Sequence, residues 1–147
     1  MKKSLIKFKN NIIFFCPSME EGGVEKNLIN ICNGLSNNQK ISIITANKNK
    51  KKLFKKKLKF ISATTNFLSK KNRIVKGIFC VYLLFKNYNS QKTTIVAFQS
   101  NILAIIVSKI LNYKVIIRSN QSPVNYANNF IKRKIMSFFF KRADKII

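Results

Sequence analysis

The chain has 147 residues, 46% hydrophobic and 12% aromatic, enough for one domain with a buried core and too little for two ordinary ones. Its charge is lopsided: 29 Lys and Arg against 4 Asp and Glu give +25. There is no histidine, which excludes Ser-His-Asp and Cys-His nucleophilic sites and every His-bearing zinc site, and the few acids leave little with which to build a carboxylate metal cage or an acid/base pair.

Ile12–Cys16 is a short apolar run closed by Pro17-Ser18 and predicts a buried strand. Glu20-Glu21-Gly22-Gly23 is a loop, and Val24–Leu35 has helical apolar spacing with Gly34 near its end. Ile41–Ala46 predicts a second strand. Lys48–Lys59 holds eight lysines around Leu53, Phe54 and Leu58 and predicts a solvated loop or frayed helix. Leu58–Ser62 is a candidate third strand. Ile74–Tyr88 is apolar nearly all round and predicts a buried helix. Thr94–Phe98 predicts a strand, Asn101–Leu111 a second apolar helix, and Lys114–Arg118 a strand ending in the polar loop Ser119–Pro123. Asn128–Arg142 predicts a helix with a broad apolar face, and Lys145–Ile147 begins another apolar stretch. Continuous apolar strands alternating with helices predict a doubly wound α/β fold, a parallel sheet covered on both faces. One Rossmann-like domain over residues 1–147 is expected.

The basic balance has a compositional explanation. Lys, Ile, Asn and Phe make up 79 of the 147 residues, and their commonest codons are built from A and T. Two functional explanations stand beside it: docking on an anionic membrane surface, and nucleic-acid binding. Only 4 of the 29 basic residues are Arg, the residue favoured for base edges and bidentate phosphate contacts, which weighs against nucleic acid. Most aromatics, Phe14, Phe15, Phe79, Phe85, Phe138 and Phe139 among them, are expected in the core. The Lys48–Lys59 tract with Leu53 and Phe54, and the Lys132–Arg142 helix, combine cations with apolar neighbours as peripheral anchors do.

Cys16, Cys32 and Cys80 are odd in number and widely spaced, which predicts free buried thiols in a reducing compartment. The apolar run Ile12–Cys16 is shorter than the about 7–15 residues of a signal-peptide core. Ile78–Phe85, the longest such run, falls far short of the about 20 residues that span a bilayer. A cytoplasmic chain, peripheral on the inner face of the membrane, is expected.

The informative stretch is Cys16-Pro-Ser-Met-Glu-Glu-Gly-Gly-Val-Glu-Lys26. A strand leads through a glycine pair into a helix, placing the Gly22 and Gly23 amides where backbone N–H groups and the helix dipole attract an anion. The same residues also fit a plain strand-to-helix turn. No G-x-G-x-x-G and no G-x-x-x-x-G-K-[ST] occurs, so the dinucleotide and P-loop fingerprints are absent.

IIFFCPSMEEGGVEKNLINICNGLSNNQKISIIT resembles the start of the N-terminal domain of family 4 glycosyltransferases, which have the GT-B fold. In that family a Gly-Gly-x-Glu-[Arg/Lys] element opens the first helix. KVIIRSNQSP resembles the family's strand that ends in a polar loop with a nearby Pro, and FFFKRADKII its Arg-Ala-Asp-x-[VI]-[VI] element. The resemblance covers nearly the whole chain.

The resemblance implies transfer of a sugar from a nucleotide-sugar donor to a glycan or lipid-linked acceptor, with no metal and no cofactor beyond the donor. It implies that Gly22 and Gly23 approach the donor phosphates, and that Arg118, Ser119 and Asn120 are candidates for acceptor contacts; Arg118 fits a surface ion pair equally well. Many relatives carry a His where this chain has Ser119-Asn120. Glu25 and Asp144 fit structural roles, Glu25 in the first helical turn where a carboxylate suits the dipole. Family members continue into a second, donor-binding domain. The expectation is therefore a part that is inactive alone: a fragment, or one half of a two-chain transferase with a separate donor-binding subunit. The alternatives are a basic module for nucleic acid or membrane surfaces, and a catalytically dead domain.

Overall fold

The computed structural model describes residues 11–37, 39–55, 57–64, 66–88, 92–119 and 129–147. Six strands form one parallel sheet: β1 (Asn11–Phe15), β2 (Ile41–Ile44), β3 (Lys59–Ile61), β4 (Thr93–Ala97), β5 (Lys114–Ile117) and β6 (Lys145–Ile146). Their spatial order is β3-β2-β1-β4-β5-β6. Among the described residues four α-helices connect them: α1 (Gly23–Leu35), α2 (Arg73–Asn87), α3 (Asn101–Ile110) and α4 (Phe130–Phe140). This is the doubly wound Rossmann-like α/β arrangement that the alternation of elements predicts.

The strands are apolar on both sides because the sheet is covered on both sides. Alternate residues of β1 serve different cores. Ile13 and Phe15 join Cys80, Leu84, Ala104 and Ile105 beneath α2 and α3, whereas Phe14 and Cys16 join Leu28 and Cys32 beneath α1. Phe139 and Phe140 of α4 pack on the first cluster. All three cysteines are free and buried.

Local chemistry sets the helix ends. Asn72 caps α2 by accepting from the Val75 amide at 2.9 Å, and Asn129 caps α4 by accepting from the Ile131 amide at 3.1 Å, the role for which a short polar side chain is favoured. After α3 the chain turns away at Asn112, whose φ of 54° lies in the left-handed region that Asn tolerates. Helices α2 and α3 meet at Gly77, where an added Cβ would stand 2.9 Å from Leu103 Cδ2.

Lys48–Leu53 forms a short 3-10 helix with no buried residue, and Phe54 and Leu58, which follow it, turn into the core beneath α1. Three expectations are corrected. Helix α2 is not buried all round: Lys76 and Gly77 face inward while Ile74 and Ile78 face out. Phe85 and Phe138, expected in the core, are exposed. The last helix begins at Phe130 rather than Asn128, with Asn129 as its cap, and none of its side chains is fully buried. Among the described residues no helix is long and apolar enough to cross a membrane.

Candidate functional site

The chain leaves β1 for one face of the sheet and β4 for the other, which opens a crevice between two neighbouring strand ends, the place where doubly wound folds bind ligands. The loop after β1 is pinned by the end of β2. Pro17 carbonyl accepts from the Ala46 amide at 3.0 Å, and Met19 carbonyl from Asn47 Nδ2 at 2.6 Å. The loop then runs through Gly22, extended at φ −165°, into α1. The first intrahelical bond runs from the Lys26 amide to Gly22 carbonyl, so the Gly23, Val24 and Glu25 amides have no acceptor within the helix.

Gln99 spans the crevice. Its Oε1 accepts from the Ser18 amide at 2.9 Å, and its Nε2 donates to Glu25 Oε1 at 2.9 Å. Ser18 is itself buried; its hydroxyl donates to Glu20 Oε1 at 2.8 Å and accepts from the buried Lys76 Nζ at 3.2 Å. Arg73 Nη2 closes the set on Glu20 Oε2 at 3.1 Å. The Ser18 hydroxyl and then the Arg73 guanidinium hold the Glu20 carboxyl below its usual range. Next to Gln99, Ser100 caps α3 at φ 55°, a left-handed conformation costly for a residue with a Cβ. Backbone strain thus sits at the strand end that faces the glycine pair.

A cleft of about 1040 Å³ follows these elements. Gly22, Gly23, Gln99, Ser100, Ser119 and Lys132 line its polar mouth. Its floor continues between the helices over Ile102, Leu103 and Ile106.

Gly22, Gly23, Glu25 and Ser119 are brought together in this cleft. Arg118 stands beside it, its guanidinium carbon 5.1 Å from the centre of the Phe98 ring, and its buried Nη1 has no hydrogen-bond partner among the described residues. Asn101 Nδ2 donates to Arg118 carbonyl at 2.9 Å, tying the start of α3 to the end of β5. Asn120 lies outside the described residues, as does the loop through Pro123. Asp144 is at the opposite end of β5, accepting from the Val115 amide at 2.7 Å and facing Lys109 at 3.6 Å. Glu25 is buried against Gln99 rather than facing solvent at the helix start. Among the described residues no group of three or more His, Cys, Asp or Glu side chains could hold a metal ion.

The sequence reading did not single out Arg73, Lys76, Gln99 or Ser100. The signal for the last two is positional: Gln99-Ser100 follows β4 as Pro17-Ser18 follows β1, and the equivalence is visible once the two strands are known to be neighbours.

Fold and crevice together define a Rossmann-like domain with a cleft at the reversal of strand order. No protein-family model matches the chain, and no curated protein matches it. Solved structures do. The crystal structure of Anabaena Alr3699/HepE in complex with UDP is similar over 92% of this chain and 36% of that one, with a TM-score of 0.56 and 15% identity. The same protein in complex with UDP-glucose covers 93% and 36%, with a TM-score of 0.55 and 15% identity. In complex with UDP and glucose it covers 93% and 37%, with a TM-score of 0.55 and 17% identity. The chain spans a little over a third of the length of these structures, and the likeness is one of fold.

Proposed function

We propose that residues 1–147 are the N-terminal, acceptor-side half of a GT-B glycosyltransferase of the family 4 type. The chain would work with a donor-binding domain, supplied in the same polypeptide or by a separate subunit, and be inactive without it. The observation that carries the reading is the glycine pair at the start of α1, facing Gln99 across the crevice between β1 and β4. The fold likeness to a protein crystallised with UDP and UDP-glucose supports it.

In this reading the donor is a nucleotide sugar. Its diphosphate approaches Gly22 and Gly23, where side chains are absent and helix amides point outward. Transfer breaks the bond between the sugar's anomeric carbon and the diphosphate oxygen and forms one to an acceptor oxygen, which loses its proton. Charge builds on the departing diphosphate, and amides fixed beforehand stabilise it without reorganising. Arg118, Ser119 and Asn120 are assigned to the acceptor, a glycan or a lipid-linked sugar. Glu25 and Asp144 are assigned structural roles, and no metal takes part.

Two amides and a short polar mouth hold a nucleotide weakly, because ordering and desolvation offset most of the contact energy. Titration of the full chain with UDP and UDP-glucose, followed by amide resonances, tests the assignment. Saturable shifts centred on Gly22, Gly23 and Gln99 support it. Shifts confined to another part of the chain, or none at saturating nucleotide, overturn it.

A further inference from the structure

We propose that Arg73, Lys76 and the Ser18 hydroxyl form a phosphate subsite on the α2 side of the cleft, and that the Glu20 carboxylate occupies it until a phosphorylated ligand displaces it. The subsite rests on the cleft taking a phosphorylated substrate, as read above, but not on Gly22 and Gly23 holding a nucleotide. Helix α2 gives the first sign. It turns Lys76 inward, 6% exposed, while Ile74 stays out at 73% and Ile78 at 59%. Burying an ammonium and exposing two isoleucines costs stability on both counts, so packing does not account for this orientation. Gly77 makes it possible. A Cβ there would stand 2.9 Å from Leu103 Cδ2 and 3.6 Å from Ser100 Oγ; its absence lets α2 close onto the start of α3 and carry Lys76 to Ser18.

The donors outnumber the oxygens that meet them. Lys76 Nζ donates to Ser18 Oγ at 3.2 Å. The Ser18 hydroxyl donates to Glu20 Oε1 at 2.8 Å, and Arg73 Nη2 donates to Glu20 Oε2 at 3.1 Å. Both carboxylate oxygens are thus engaged, and among the described residues neither is hydrogen-bonded to Lys76. The Ser18 hydroxyl, Arg73 and, more weakly, Lys76 all hold the Glu20 carboxyl below its usual range, as a nest suited to an anion does. An ammonium has three donors, so a third oxygen is what the set lacks. A phosphate group supplies it: one oxygen for the Arg73 fork, one for the Ser18 hydroxyl and one for Lys76.

Glu20 can leave readily. Its side chain is half exposed and that of Arg73 mostly exposed, a pairing that holds weakly in water. Both residues line the cleft, and an outward swing of Glu20 uncovers the buried Ser18 and Lys76. The phosphate that enters has two possible sources, the diphosphate of a nucleotide sugar or the phosphate of a phosphorylated acceptor.

Titration of the full chain with inorganic phosphate, followed by the Ser18 amide and Arg73 side-chain resonances, tests the subsite. Glu20→Gln should bind phosphate at least about fivefold more tightly than the parent, because an internal competitor of like charge is gone. Glu21→Gln removes the same charge one residue on, from a side chain 92% exposed and paired with Lys50. That control should gain less than about twofold. In the Glu20→Gln background, Arg73→Ala and Lys76→Met should each lose about fivefold or more of phosphate affinity. Arg73 is an exposed position, so its arm stands even where circular dichroism shows that Lys76→Met has not folded. Equal gains in Glu20→Gln and Glu21→Gln, phosphate affinity indifferent to Arg73→Ala, or no phosphate response in Glu20→Gln overturn the proposal. Repeating the titration at saturating UDP separates the sources. Competition assigns the subsite to the donor's diphosphate, and phosphate bound alongside UDP assigns it to a phosphorylated acceptor. UDP shifts at Gly22 and Gly23 without any phosphate response remove the subsite and leave the nucleotide reading. Phosphate binding that follows the variants while UDP shifts nothing at the glycine pair does the reverse.

Discussion

Gln99, at the end of β4, and Glu25, in the first turn of α1, are joined by a 2.9 Å hydrogen bond although 74 positions apart in the sequence. The same Gln99 accepts from the Ser18 amide. One side chain therefore holds together the two loops that border the crevice.

Gln99→Leu keeps the size of the side chain and removes both bonds. Two partly buried groups, the Ser18 amide and the Glu25 carboxylate, lose this partner. The expected loss is about 1–3 kcal/mol of unfolding free energy, read as a lower midpoint in urea at unchanged slope. A midpoint equal to the parent's would show that the bridge contributes nothing.

The two glycines should separate fold from ligand. Nothing stands within 4 Å of an added Cβ at Gly23, so Gly23→Ala should leave stability unchanged or slightly raised. Its methyl group occupies the approach assigned to the diphosphate, and UDP affinity should fall about tenfold or more by titration. At Gly22 the added Cβ would meet Glu25 Oε2 at 2.9 Å. Gly22→Ala should push Glu25 off Gln99, and its cost should not add to that of Gln99→Leu, because both break one contact.

Ser100→Gly relieves the left-handed backbone at φ 55°. Chemical denaturation should give a gain of up to about 1 kcal/mol, reduced by the greater chain entropy of glycine when unfolded. Ser100→Val, which forces a branched side chain into the same conformation, should destabilise.

Two groups of titrating residues bracket the pH range. Burial pushes all three thiols up, Cys32 to about 12. Their contribution to stability is fully present below the unfolded-state value of about 8.5 and is lost as pH rises from there through the folded values. At pH 8 a thiol reagent should label no cysteine of the native chain and all three after denaturation. Glu20 has the opposite sign. Its depressed carboxyl contributes above the unfolded value of about 4.3 and ceases to as pH falls through the folded one. Arg73→Ala should raise the Glu20 midpoint in a carbonyl NMR titration.

The strands were legible because a sheet buried on both faces needs unbroken apolar runs, and Ile12–Cys16, Ile95–Phe98 and Val115–Ile117 supply them. Helix α2 was misread for the converse reason. In a chain so rich in Ile and Phe an apolar residue says little about which way it points, and the inward positions fell to Lys76 and Gly77. The strand-to-helix turn that places a glycine pair at the cleft could be read from Gly22-Gly23 alone. Gln99 and Lys76 could not, because what makes them part of it is the adjacency of β1 and β4 and the packing of α2, neither of which is encoded in local spacing.

The pairing of β1 with β4 also sets a timetable for synthesis. Asn11 finds its partner Thr93 only after roughly 80 further residues are made, several seconds at ribosomal speed. Through that interval the free edge of β1 presents Ile13, Phe14 and Phe15 to whatever is nearby. A central strand of the finished sheet is thus an edge strand of the nascent one, and the yield of folded protein should depend on chaperones more than its final stability would suggest.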